Sequence, residues 1–259
     1  MEYEDRIVCF LDILGFKNII EESEKDNLKL QNTLKALKIL NTYKIDSEQN
    51  YGATHESVQV TQFSDSIVIS FLIEERDQLI LALFNLQEMI VELFDYGFLL
   101  RGGISSGNLI HTDNILIGTA LHEAYELESS IAIYPRIIIS QQLINNYLDI
   151  NNSDDDFGRD FEESHINDIL LNCDDGYYMI DYFFNIKNIF DKEYYYIIYL
   201  QKMYSVISSG CKSKNNKVNI KFKWMKEKYN DIVYQVDGYI SKLDDENLKE
   251  KYRTLQIIN

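Results

Sequence analysis

Hydrophobic and polar positions along the chain follow three patterns in turn: short apolar runs, alternating stretches and three- to four-residue periods. Residues 7–16, I-V-C-F-L-D-I-L-G-F, form an apolar run broken only by Asp12 and closed by Gly15. A run of this length predicts a buried strand. An isolated ionised carboxylate is costly in such a setting. Asp12 therefore either ends the strand and caps the next helix, or holds something positive. After Phe16 the pattern turns helical: Ile19, Ile20, Leu28, Leu30, Leu34, Leu37 and Leu40 fall largely at three- and four-residue steps, with a polar patch at 21–27 placed to break the helix. Residues 44–55, with Asp46, Ser47, Asn50 and Gly52, predict a loop.

Residues 56–63 alternate and residues 67–73 are β-branched and apolar, with S-D-S between them. This predicts a hairpin with Asp65 at or beside its turn. Residues 75–96 predict a helix with Leu79, Leu83, Leu86, Ile90 and Leu93 on one face and Gly97 as its stop. Residues 98–110 predict a strand whose Gly102 and Gly103 let another backbone or a ligand come close. Residues 118–130 predict a helix and 136–140 a short buried strand. The order βα-ββ-αβ-αβ predicts an α+β fold of ferredoxin-like topology, with a mixed or antiparallel sheet and helices packed on it. Residues 151–163 predict an acidic surface loop, their spacing being wrong for an EF-hand. Residues 177–184 predict a further strand, and 190–209 and 217–244 two long helices that include Trp224. The expected division is a domain at 1–150 and an acidic loop, extra strand and C-terminal helical extension at 151–259, packed on the same unit.

Bulk properties narrow the class. The chain has 259 residues, 46% hydrophobic and 26% charged, ordinary for a globular protein with a real core. Glu2, Glu4 and Asp5 stand where a secretory leader is basic, and no apolar run reaches the roughly 18 residues of a membrane span. Cys9, Cys173 and Cys211 are odd in number and far apart, which fits a reducing compartment rather than a disulfide framework. A cytoplasmic protein is the expectation. The net charge of −17 opposes general binding to nucleic acid or to an anionic membrane. It leaves room for a nucleotide held by local groups and metal ions.

Asp12 and Asp65 each stand where a strand meets a turn, on strands this topology sets side by side. Two carboxylates at one sheet end suit Mg²⁺ or Mn²⁺, hard ions that take oxygen ligands and substrate phosphates. The turn after Asp12 leads into a helix, where free N–H groups suit a polyphosphate. The combination fits two-metal phosphoryl or nucleotidyl chemistry. The same residues also fit a helix N-cap and a plain turn position.

The order of motifs adds a resemblance. F-L-D-I-L-G-F, F-S-D-S-I-V-I-S, R-G-G-I-S-S-G, G-T-A-L-H-E-A-Y-E-L-E and Y-P-R-I-I-I-S together resemble the class III nucleotide cyclase domain over roughly residues 5–140. More closely, residues 118–128, the P-R-I-I-I-S after them and the tail K-F-K-W-M-K-E-K-Y-N (221–230) resemble the Pycsar pyrimidine cyclases of antiphage defence. The resemblance implies that Asp12 and Asp65 bind two Mn²⁺ or Mg²⁺ ions with the Ile13 carbonyl between them. It implies that Ile13, Leu14, Gly15 and Phe16 form the triphosphate turn, and that the domain works as a head-to-tail homodimer. The implied reaction converts UTP, or CTP, to the 3′,5′-cyclic monophosphate and pyrophosphate, the product being read by a separate effector protein.

Departures from the family pattern matter. Thr61 stands where adenylyl cyclases carry a base-reading lysine and Ile115 where they carry its aspartate partner, so usual purine recognition is not reproduced. His122 and Glu126 stand where the transition-state asparagine and arginine are expected. Arg101 is the candidate replacement, or a surface-facing strand residue. Tyr125 either walls off a small base or fills core or interface. His122 reads as a helix-face histidine before a general base, and Glu123, Glu126 and Glu128 as a solvated or interface-paired set. Cys9 reads as core, and Arg136 as an anchor at the sheet end. Two other readings stay open: a catalytically silent, cyclase-like nucleotide-binding dimerisation module, and a purine cyclase with atypical base contacts.

Overall fold

A computed structural model describes residues 1–50, 58–72, 76–147, 166 and 168–259; the acidic segment 151–163 lies outside them. The described residues form two compact units, Met1–Ile180 and Asp181–Asn259.

The first unit is built outward from β1 (Glu4–Ile13), an interior strand. Two helices, α1 (Phe16–Ser23) and α2 (Asn27–Asn50), lead to a hairpin of β2 (Gln59–Phe63) and β3 (Ser66–Leu72). Helix α3 (Arg76–Asp95) then leads to β4 (Leu100–His111). Strand β1 lies between β3 and β4, antiparallel to both, and β2 flanks β3. The order β2-β3-β1-β4 for a β-α-β-β-α-β chain is the ferredoxin-like split βαβ arrangement. A short β5 (Leu116–Gly118) folds back on β4. Helix α4 (Thr119–Glu126) runs into a π-helical turn, Leu127–Ile131, and then β6 (Ile137–Ile139), parallel to β4. After α5 (Gln141–Tyr147), β7 (Leu170–Asn172) and β8 (Tyr178–Ile180) extend the sheet antiparallel beside β6. The sheet is thus mixed, and the unit is α+β as the element order requires.

Register separates the two faces of the sheet. Residues paired across antiparallel strands share a face, so Ile7, Cys9, Leu11, Ile67, Ile69 and Ile104 lie together, all at 0–1% exposure. Helices α2 and α3 contribute buried Ala36, Leu40, Leu79, Leu83, Leu86 and Leu93. Each fully buried Leu or Ile contributes about 1.5–3 kcal/mol. The other face carries Val8, Phe10, Asp12, Val68, Thr61 and Arg101. Among the described residues, Ala120 and Ala124 of α4 pack on its Val8, Val68 and Leu109. Gly103 allows this approach, because a Cβ there would meet the Ala124 carbonyl and Leu127 Cβ. The expectation that a backbone comes close at Gly103 is met by α4.

The second unit is helical, as the expected C-terminal extension requires: α6 (Glu193–Gly210), α7 (Asn216–Ile240) and α8 (Glu246–Tyr252). Asp181 opens it, its carboxylate accepting from the backbone N–H groups of Phe183, Phe184 and Asn185 at 2.8, 3.0 and 2.9 Å. Burial raises its pKa. Trp224 meets Phe183 edge-on, 5.8 Å between centroids. Asn230 holds the C-terminal backbone through both the N–H and the carbonyl of Ile258, at 2.8 and 3.0 Å.

One prediction of local structure is corrected: residues 44–50 are helical rather than loop, since α2 continues to Asn50. Asp46, Ser47 and Asn50 are weak helix formers, but no Gly or Pro precedes Gly52 to stop the helix.

Candidate active site

Local geometry at the end of β1 decides between the two uses of Asp12. Helix α1 is capped by Gly15, in the left-handed region at φ 75°, and no side chain accepts a capping bond there. Asp12 is therefore not the N-cap. It lies opposite Ser66 on β3 and opposite Arg101 on β4. Asp65 is the next residue out from Ser66, in the hairpin turn, whose Ser64 has φ 56° as such tight hairpins demand. The turn is tied to β1 by the Ile13 N–H, which donates to the Asp65 carbonyl at 2.9 Å, while the Leu14 N–H donates to the Leu99 carbonyl at 2.9 Å. Asp12 and Asp65 are thus brought to one end of adjacent strands. Beyond them the Gly15 carbonyl accepts from Asn18 and Ile19 at 2.9 and 3.1 Å, starting α1. The N–H groups of Gly15, Phe16 and Lys17 have no acceptor among the described residues. A left-handed residue followed by free N–H groups is an anion-binding concavity.

Arg101 is not surface-facing. Its Nη2 lies 3.2 Å from Asp12 Oδ2 and also pairs with Glu128 Oε1. The Arg101 and Asp12 side chains are 22% and 18% exposed, and that of Glu128 is 4% exposed. Glu128 sits in the π-helical turn after α4, so it is not part of a solvated charge set. The physical reason is its position: Ala120, Ala124 and Glu128 are four residues apart, which puts Glu128 on the buried stripe. Glu126 does face solvent, paired with His122 at 3.4 Å on an open helix surface. Burial raises the Glu123 pKa.

Other singled-out residues lie around this centre. Thr61 shares the Asp12 face, half-buried, and its hydroxyl lies 2.7 Å from His111 Nε2. His111 Nδ1 lies 2.8 Å from Ser70 Oγ, which accepts from Arg6 Nε at 3.0 Å. His111 is 6% exposed and escaped notice in the sequence. Its signal there is period two from buried Leu109 along β4. Tyr125 is half-exposed and stands edge-on to Phe10, 5.4 Å between centroids. Ile115 is exposed in the β4–β5 turn, apart from the ion-paired centre, its carbonyl accepting from Thr112 N–H at 2.8 Å. Cys9 is core, its thiol pKa raised by burial. Arg136 anchors the sheet: it pairs with Asp175 at 2.5 Å and donates to the Ile131 carbonyl at 3.1 Å.

The donor set can be tested against a divalent cation. Among the described residues no cluster of three or more His, Cys, Asp or Glu side chains is placed to hold a metal. A closed, all-protein site is therefore not present in this region. What is present is a pair of hard carboxylates, backbone oxygens at a sheet end and a guanidinium already standing at Asp12. That set fits Mg²⁺ or Mn²⁺, which keep few protein ligands and complete their shell with water and phosphate.

No protein-family model and no curated protein matches the chain. Solved structures with some likeness include the adenylyl cyclase CyaB from P. aeruginosa, at 17% identity over 70% of this chain and 95% of that one, TM-score 0.47. A bacterial light-regulated adenylyl cyclase gives 19% identity over 54% and 77%, TM-score 0.39. An adenylate/guanylate cyclase/hydrolase from Silicibacter pomeroyi gives 14% over 70% and 99%, TM-score 0.38. At these scores and identities the likeness assigns no activity to this chain. Among the described residues no helix is long and apolar enough to cross a membrane.

Proposed function

We propose that the chain is a metal-dependent nucleotide cyclase acting on a pyrimidine triphosphate, UTP before CTP. The observation that carries this is the convergence of Asp12, Asp65 and the free N–H groups of residues 15–17 at one sheet end. Asp12, Asp65 and the Ile13 carbonyl would hold Mn²⁺ or Mg²⁺. Such ions, when bound, neutralise phosphate charge and lower the pKa of a hydroxyl. They also resolve an electrostatic conflict, since Asp12, Asp65 and Glu128 set three carboxylates against one guanidinium where a polyanion must sit.

In the reaction, the 3′-oxygen forms a bond to the α-phosphorus as the bond to the bridging oxygen breaks. The bridging electrons leave with pyrophosphate and the hydroxyl proton passes to solvent. The chain's share is positioning and charge. Backbone N–H groups of Gly15, Phe16 and Lys17 donate to the phosphates, and Arg101 supplies a fixed positive charge beside Asp12.

Hydrogen-bond direction supports uracil. Ser70 Oγ accepts from Arg6 Nε and lies 2.8 Å from His111 Nδ1; with the ring proton on Nε2, the Ser70 O–H donates to Nδ1. His111 Nε2–H then donates to Thr61 Oγ1, leaving the Thr61 O–H free to donate outward. This tautomer gives the proton of fully buried Ser70 an acceptor and pairs both ring nitrogens. An outward donor matches the carbonyl at uracil position 4 and opposes the amine of cytosine. A head-to-tail homodimer belongs to the same proposal, supported by half-exposed Phe63 and Tyr125 on the Asp12 face. Antiphage signalling through a separate effector rests on motif order alone.

A second reading, a catalytically silent nucleotide-binding module, is favoured by one observation: Arg101 already neutralises Asp12. Replacing Asp65 separates the two. Asp65→Ala is expected to lower pyrophosphate release from UTP by at least about 100-fold, the scale on which losing one transition-state charge partner acts, with the unfolding temperature unchanged. An Asp65→Ala variant of full activity would overturn the metal assignment.

A further inference from the structure

Glu128 enters the reading above only as one carboxylate in the charge balance, yet it is 3% exposed. A carboxylate so deeply placed is costly unless paired. Its ion pair is with Arg101, through the same Nη2 that lies 3.2 Å from Asp12 Oδ2. One guanidinium nitrogen is thus divided between two carboxylates. Glu128 is fixed in the turn that closes α4, while Asp12 stands at the open sheet end. Arg101 has no other acidic partner among the described residues. Each carboxylate therefore competes with the other for it, and a cation that takes Asp12 Oδ2 must displace Arg101 from the contact.

We propose that Glu128 is a positioning residue which draws Arg101 off Asp12 and so sets the affinity of Asp12 for a divalent cation. The proposal rests on the metal assignment made above. When a divalent ion binds at Asp12, Arg101 keeps Glu128 as its partner, so the guanidinium is neither stranded nor pushed into solvent. It stays beside the site as a fixed positive charge. Removing the Glu128 charge leaves Arg101 with Asp12 alone and strengthens the competition. Removing Arg101 takes this competitor from Asp12 and removes the link through which Glu128 acts on it.

A double-mutant cycle on the full chain tests this, with Mn²⁺ alone as the probe and binding followed by electron paramagnetic resonance. Glu128→Gln is expected to weaken Mn²⁺ binding by about 5-fold, within the range of coupling between residues in one ionic network. Arg101→Met is expected to tighten it. In the Arg101→Met background, Glu128→Gln is expected to change nothing. A merely structural role for Glu128 predicts the same loss in both backgrounds, and that result overturns the proposal, as does unchanged binding in the single variant. Glu128→Asp, which keeps the charge but shortens the reach, covers the case where Glu128→Gln does not fold. It is expected to bind Mn²⁺ more weakly than wild type, and equal or tighter binding overturns the proposal. A wild-type chain that binds no Mn²⁺ overturns both the proposal and the metal assignment. A chain that completes the cycle as expected but turns over no triphosphate loses only the cyclase reading.

Discussion

Replacing Gly103 with alanine perturbs the contact on which the site depends. The new Cβ would meet the backbone carbonyl of Ala124 and lie 2.6 Å from Leu127 Cβ. Comfortable carbon–carbon separation is about 3.5–4.0 Å, so α4 must retreat by roughly 1 Å. That retreat opens the packing of Ala120 and Ala124, 1% and 0% exposed, on Val8, Val68 and Leu109. Overpacking of this kind costs about 1–3 kcal/mol, and the upper end applies because the obstacle is backbone. At about 2–4 °C per kcal/mol for a unit of this size, the unfolding temperature should fall by roughly 6–12 °C. Gly97→Ala serves as the control. It has open space around it but φ 84°, so its cost is about 1 kcal/mol of left-handed strain. Thermal denaturation followed by circular dichroism reads both. Gly103→Ala as stable as wild type, or less damaging than Gly97→Ala, would refute the reasoning.

Two further predictions concern single interactions. Arg136 holds the Asp175 carboxyl below its ordinary pKa. The stabilisation is therefore complete above the unfolded value, about 4, and fades as pH falls through the folded value. The difference in unfolding temperature between wild type and Asp175→Asn should stay level from about pH 5 to 7 and shrink toward pH 3; a difference that grows on acidification contradicts the pairing. Thr61→Val removes the outward hydroxyl while keeping the shape, and should raise KM for UTP about tenfold, the value of one good hydrogen bond, without a matching rise for CTP. An equal change for both bases would contradict the hydrogen-bond direction given to Thr61.

Most of the core topology was legible in the sequence because each strand of the first unit has an unambiguous pattern. The apolar run at 7–16, the alternating 56–63 and the β-branched 67–73 each mark a strand, though β1 starts earlier, at Glu4, and ends at Ile13. Gly102 and Gly103 signalled a close approach correctly, though the sequence could not say that β1 makes it at Gly102 and α4 at Gly103. Short strands β5, β7 and β8, three residues each, escaped in whole or in part because three residues show no period. The continuation of α2 past Lys44 escaped because weak helix formers need tertiary support to be told from loop. At the site, Asp12 stood out because a charge in an apolar run is anomalous. Glu128 did not, because among Glu123 and Glu126 it resembled one more exposed carboxylate; only its four-residue spacing from Ala120 and Ala124 marked it as buried. His111 and Ser70 are joined to Thr61 across strands far apart in sequence, and no local pattern encodes such a chain.

The central claim, metal-dependent cyclisation of a pyrimidine triphosphate, is tested most directly by mass identification of products. The full chain is incubated with equal amounts of UTP, CTP, ATP and GTP in Mn²⁺, with and without a phage lysate. The account predicts cyclic UMP with stoichiometric pyrophosphate. Turnover of none of the four, or cyclic AMP or GMP as the main product, would contradict it.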